Sequence, residues 1–113
     1  MIAELSYRFS VRIVKLSQFL QREHHEYVLS KQILRSGTSI GANIVEAKQG
    51  QSRPDFLSKY SVALKEAAET EYWLRLLHDT GYLTDPGYDS LQKDCAELNR
   101  ILTAIVKKTR AQD

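Results

Sequence analysis

The sequence predicts an all-α chain, an antiparallel up-down-up-down four-helix bundle, on three observations. Apolar residues recur at helical spacing in four separate stretches. Strand-like alternation is nowhere evident. The two prolines, Pro54 and Pro86, both stand near breaks between these stretches. Short connections between long helices make consecutive helices antiparallel neighbours, and nearly strict seven-residue periodicity favours shallow crossing angles.

The first helix is expected over about 2–22, where Ile2, Leu5, Phe9, Ile13, Leu16 and Leu20 form one stripe that fades at "QREHHEYVLS". The second, over about 30–49, carries Ile33, Gly37, Ile40, Ile44 and Ala47 and stops at Gly50, a plausible C-terminal glycine. "SRPD" then supplies Ser52 as N-cap, Pro54 in the first turn and Asp55 three residues on, a capping-box-like start for a third helix over about 53–80. Its stripe is Phe56, Tyr60, Ala63, Ala67, Leu74 and Leu77, with Trp73 on the flank, and Gly81 closes it. Thr84 and Pro86 open the fourth, over about 85–110, with Tyr88, Leu91, Cys95, Leu98, Leu102 and Ile105 facing the core. With no internal repeat, residues 1–113 read as one domain.

Hydrophobic content of 42% and charged content of 27% are those of an ordinary soluble globular chain. No apolar run approaches the roughly 20 residues of a membrane span. Glu4, Arg8, Arg12 and Lys15 interrupt the region where an export signal would be continuously apolar. The lone Cys95 suits a reducing compartment. The expectation is a cytoplasmic protein without a membrane partner.

Catalytic and metal chemistry find little support. A di-iron bundle site needs Glu-x-x-His, but the residues three before His24, His25 and His78 are Gln21, Arg22 and Arg75. His24 and His25 are adjacent and cannot share a helix face, so a solvated connection is expected for them. Glu66, Glu69 and Glu71 read as a helix face with one buried salt bridge rather than as acid/base carboxylates. Cys95 reads as a small core residue. There is no phosphate loop and no GxSxG. A non-enzyme without cofactor or metal is expected.

Beside the second helix's apolar stripe runs a polar line of Gln32, Arg35, Ser39, Asn43 and Glu46, displaced by about 100°. Gly37 and Gly41 each weaken the helix by about 0.5–1 kcal/mol relative to alanine. They leave a smooth surface that another helix can approach closely, which points to oligomerisation with the polar line in or beside an interface. If the second and third helices turn near residue 51, Arg35 lies level with Glu66 and Glu69. A partly buried ion pair with one of them is expected, and removing one partner of a buried pair costs roughly 3–5 kcal/mol.

The net charge of +2 is too small to imply a nucleic-acid partner, but its distribution is uneven. In this topology residues 1–13, 41–58 and 100–113 gather at one end. Arg8, Arg12, Lys48, Arg53, Arg100, Lys107, Lys108 and Arg110, eight basic residues, meet four acidic ones there, a local balance of +4. A cyclic oligomer would repeat this on one rim, suited to sequence-independent attraction of RNA or DNA backbone.

"QILRSGTSIGANIVEA" and "FLSKYSVALKEAAETEYWLRLLHDTGYL" resemble the second and third helices of the bacterial four-helix-bundle proteins encoded in intervening sequences of 23S ribosomal RNA genes. The resemblance covers about 32–83 and departs at Val45 and Ala47, where many members have alanine and glycine around the same glutamate. It implies a homopentameric barrel, kinship with the accessory protein of diversity-generating retroelements, and signature polar residues at Gln32, Arg35, Ser39, Asn43, Glu46 and Glu69. The expected function is that of an oligomeric adaptor or assembly protein with a basic end for RNA or DNA. The alternative is a protein-binding scaffold without nucleic-acid function.

Overall fold

Each helix starts and stops where local chemistry satisfies its terminal amides and carbonyls. The computed structural model describes residues 1–50 and 52–112. It contains four helices, α1 (Ile2–His24), α2 (Leu29–Lys48), α3 (Arg53–Asp79) and α4 (Asp85–Ala111). Gln51, about which the turn between the second and third helices is expected to centre, and Asp113, one of the acids counted at the basic end, lie outside the described residues.

Ser52 Oγ accepts from the Asp55 N–H at 3.3 Å and Thr84 Oγ1 from the Gly87 N–H at 3.2 Å, capping α3 and α4. The start of α2 is held differently. Glu26 accepts from the N–H of Ser30 at 2.8 Å and of Val28 at 3.3 Å. Desolvation pushes this carboxyl up, but backbone donors at Leu29, Ser30 and Val28 outweigh it and leave its pKa below the usual range. α1 ends with His25 in the left-handed region at φ 51°, a conformation histidine tolerates better than most residues. α3 ends before Gly81 at φ 90°, where the Tyr82 N–H returns to Leu77 O at 2.9 Å. α2 closes through the N–H groups of both Gln49 and Gly50, which donate to Glu46 O and Ala47 O at 3.1 Å.

The helices form a four-helix bundle measuring 47 × 21 × 21 Å, each packed on its sequence neighbours, with no strand among the described residues. The α1–α4 seam is the loosest of the four. Phe9, Ile13, Leu20, Ile33, Ile40, Ile44, Leu74, Leu77, Leu98 and Leu102 are fully buried along the axis. The stripe of α4 shifts near its end: Val106 and Thr109 are buried and Ile105 only half-buried. A 3.6-residue helix drifts against a seven-residue repeat, and α4 accommodates the drift there.

The glycines take a role different from the one expected. Gly37 and Gly41 are buried and face α1 of the same chain. A Cβ on Gly37 would sit 2.8 Å from Ile13 Cγ1 and Cγ2, and one on Gly41 3.3 Å from Ser10 Oγ. The notch lets α1 approach α2 closely, so tight packing inside the subunit accounts for these residues. Both adjacent histidines are exposed, and His25 lies in the connection beyond α1, but His24 is the last residue of the helix, with its ring edge-on to Phe19 and Tyr82.

Candidate functional site

The polar line of α2 faces the groove it shares with α3. Arg35 reaches both glutamates where the level argument asked for one. Nη1 donates to Glu66 Oε2 at 2.7 Å and Nη2 to Glu69 Oε2. Trp73 Nε1 donates to the same Glu69 oxygen at 3.0 Å. The Trp73 hydrogen bond, with Arg35 and Lys65 adding to it, holds the Glu69 carboxyl below its ordinary range against desolvation, and Glu69 raises Arg35 in turn. The Arg35 side chain is 50% exposed and that of Glu66 only 11%, so the pair is buried mainly on its acidic side. Beneath it, Thr70 Oγ1 donates to Glu66 O at 2.8 Å and lies 3.0 Å from Ser36 Oγ in a hydroxyl–hydroxyl contact, a fully buried polar link that the periodicity did not reveal.

The rest of the line is engaged locally. Lys59 pairs with Glu46 at 3.0 Å across the groove. Ser39 Oγ donates to Arg35 O and Asn43 Nδ2 to Ser39 O along the helix, while Gln32 is exposed. On the far side of α3, Asn99 of α4 donates to Glu71 at 2.8 Å. The three glutamates are therefore divided between two grooves. Cys95 is fully buried, and desolvation, reinforced by Glu71 and Asp94, pushes its thiol up to about 12. That leaves almost no thiolate near neutrality, so it fits no nucleophilic role.

The basic residues separate into two groups. Arg8 pairs with Glu4 at 3.0 Å and Arg100 with Glu97 at 2.5 Å. Arg12 leaves the end cluster and clasps the α1–α4 seam, donating to Asp94 at 2.6 Å and to Ser90 Oγ at 2.8 Å. Arg53 donates to Gln112 at 3.4 Å. Lys48, Lys107, Lys108 and Arg110 are exposed and make no ion pair among the described residues. Three of these, Lys48, Lys108 and Arg110, also lie in the last turns of α2 and α4, where cations complement the helix dipole. Between those helix ends and the start of α3 lies an open cavity of about 550 Å³, lined by Lys48, Arg53, Ser52, Phe56, Thr109 and Gln112 among others.

One surface escaped the residue-by-residue reading. Tyr7, Val11 and Val14 stand on the outer side of α1 with 67%, 37% and 38% of their surface exposed, and Val45 of α2 is 53% exposed. They line two shallow, mostly apolar grooves, one of α1 alone and one between α1 and α2 over Gly41 and Ala42. The signal was present as a second line of helical spacing, Glu4, Tyr7, Val11, Val14 and Gln18, opposite the core stripe. Among the described residues no three His, Cys, Asp or Glu side chains are grouped to hold a metal ion, and no helix is long and apolar enough to cross a membrane.

The fold and these surfaces define a small all-α bundle with polarised charge and an apolar outer face. The chain belongs to the 23S rRNA-intervening sequence protein family, whose model matches residues 1–104. It is similar to a solved structure, at 1.70 Å, of a protein of unknown function from the S23 ribosomal protein family of Bacteroides thetaiotaomicron. The two are 56% identical with a TM-score of 0.93, over 95% of this chain and 99% of that one. No curated protein matches the chain.

Proposed function

We propose that the protein is a non-catalytic, cytoplasmic assembly or adaptor protein, a homo-oligomer (a pentamer by family resemblance) whose basic end binds the phosphate backbone of RNA or DNA. The observation that carries this reading is the contrast among its cations. Arg8, Arg12 and Arg100 are neutralised by Glu4, Asp94 and Glu97, whereas Lys48, Lys107, Lys108 and Arg110, near the C-terminal ends of α2 and α4, stay exposed together without an ion pair among the described residues. Such a surface attracts polyanions without reading bases, and repetition around a ring multiplies the attraction.

The test compares wild type with a Lys107→Glu, Lys108→Glu, Arg110→Glu variant in binding to mixed-sequence RNA and DNA over a salt series. Wild-type affinity is expected to fall steeply with salt, and the variant to lose most binding at low salt. Wild-type affinity independent of salt, or equal binding by the variant, overturns the reading. A second reading, a protein-binding scaffold with no nucleic-acid role, is favoured by the apolar outer face of α1 and α2. It becomes the better account if neither protein binds nucleic acid.

A further inference from the structure

We infer that His78 is a pH-operated latch at the α3–α4 corner, fastening the end of α3 to the start of α4 when its ring is protonated. Nε2 lies 2.6 Å from Asp85 Oδ1 in a hydrogen bond, and Nδ1 lies 3.3 Å from Asp79 Oδ1 in an ion-pair contact, so both ring nitrogens are close to carboxylate oxygens. Ionised carboxylates only accept hydrogen bonds. A neutral imidazole offers them no charge, whereas the imidazolium makes the Asp85 hydrogen bond charge-assisted and attracts both carboxylates. The ring is held in this orientation by stacking on Tyr88, with centroids 4.4 Å apart and planes 16° from parallel.

The helix termini favour the same charge state. His78 sits in the last turn of α3, where a cation is stabilised, and Asp85 in the first turn of α4, where an anion is stabilised. The groups facing the ring are Asp79 from α3, itself 3.8 Å from Arg75, and Asp85 and Tyr88 from α4; α1 reaches the same turn through His24, edge-on to Tyr82. The Asp85 hydrogen bond raises the His78 pKa, desolvation opposes it, and Asp79 adds to the rise. With the folded value raised, the latch contributes fully below the unfolded value of about 6.5. It is lost as pH climbs through the folded value, a window beginning near neutrality. Release leaves Asp79 and Asp85 facing an uncharged ring.

The test follows the His78 ring proton by NMR across pH, with histidine in an unstructured peptide as the reference. In parallel it measures the protection of the Tyr82 and Leu83 amides, which both donate to Leu77 O. His78 is expected to titrate above the peptide histidine. Tyr82 and Leu83 protection should be greater at acid than at alkaline pH. Asp85→Asn, at a side chain 88% exposed and so without buried packing to lose, should lower the titration and flatten the protection profile. Asp79→Asn should lower it less. A His78 that titrates with the peptide histidine, or one unchanged by Asp85→Asn, overturns the latch. So does corner protection that does not follow the His78 titration.

Discussion

Arg35 shows how far one side chain can organise a groove. It joins two carboxylates of α3, and Glu69 is in turn held by Trp73. Its worth is limited by water: half of its side chain is exposed, which screens the Coulomb attraction and lowers the cost anticipated for a fully buried pair. The penalty of removal falls on Glu66, which is only 8% exposed and would lose its cationic donor. Arg35→Ala is therefore expected to destabilise the fold by about 1–2 kcal/mol, read as a lower denaturation midpoint with the slope unchanged. A midpoint equal to wild type would mean the triad is ornamental to stability. The same geometry explains why sequence could name the partners. Antiparallel packing about a short turn fixes the level of each residue on neighbouring helices, and charge then selects the pair.

At the scale of helices, α1 and α2 meet through Gly37 and Gly41, and the two sites are not equivalent. Alanine gains up to about 1 kcal/mol of helix propensity at either. At position 37 its methyl would lie 2.8 Å from the branched, fully buried side chain of Ile13, which has nowhere to withdraw. At position 41 the nearest atoms are serine oxygens at 3.3 and 3.4 Å. Gly37→Ala is expected to lower stability by up to about 2 kcal/mol net of the propensity gain, and Gly41→Ala to leave it within about 0.5 kcal/mol. Equal melting shifts for the two variants would refute the asymmetry. Periodicity and caps made the four helices legible because Ser52, Thr84 and the prolines mark their starts through local chemistry. The glycines' partner was not legible. A small residue announces close approach but not by what, and only the fold places Ile13 opposite Gly37. The Ser36–Thr70 link was hidden for a related reason, since hydroxyls on a helix usually bond their own backbone.

The whole molecule is polarised lengthwise, with exposed cations at one end and the histidine-bearing α3–α4 corner at the other. A count by sequence segment found the bias but overstated it, because Arg12 and Arg100 turned out to have acidic partners, Asp94 and Glu97, outside the counted segments. Side-chain pairing across helices depends on rotation about each axis, which a count along the chain does not contain. The outer seam of α1 is the other whole-molecule feature, and it is a candidate contact for the proposed homo-oligomer as well as for a protein partner. Val11→Glu combined with Val14→Glu replaces side chains already 37% and 38% exposed, so the fold should persist. If the proposed homo-oligomer forms through this seam, the variant should run near the 13.0 kDa of one chain in light scattering while wild type runs heavier. A variant that assembles as wild type would exclude the seam as the contact.

The sealed thiol of Cys95 also makes the chain a convenient substrate for site-directed labelling. Thiol reagents attack the thiolate, and a group held near 12 inside the core offers almost none in neutral solution. A cysteine introduced beside Lys107 or on the outer face of α1 would therefore be the one reactive thiol of the folded protein. A fluorophore or crosslinker at that position would report on a single surface, with the native residue left in place.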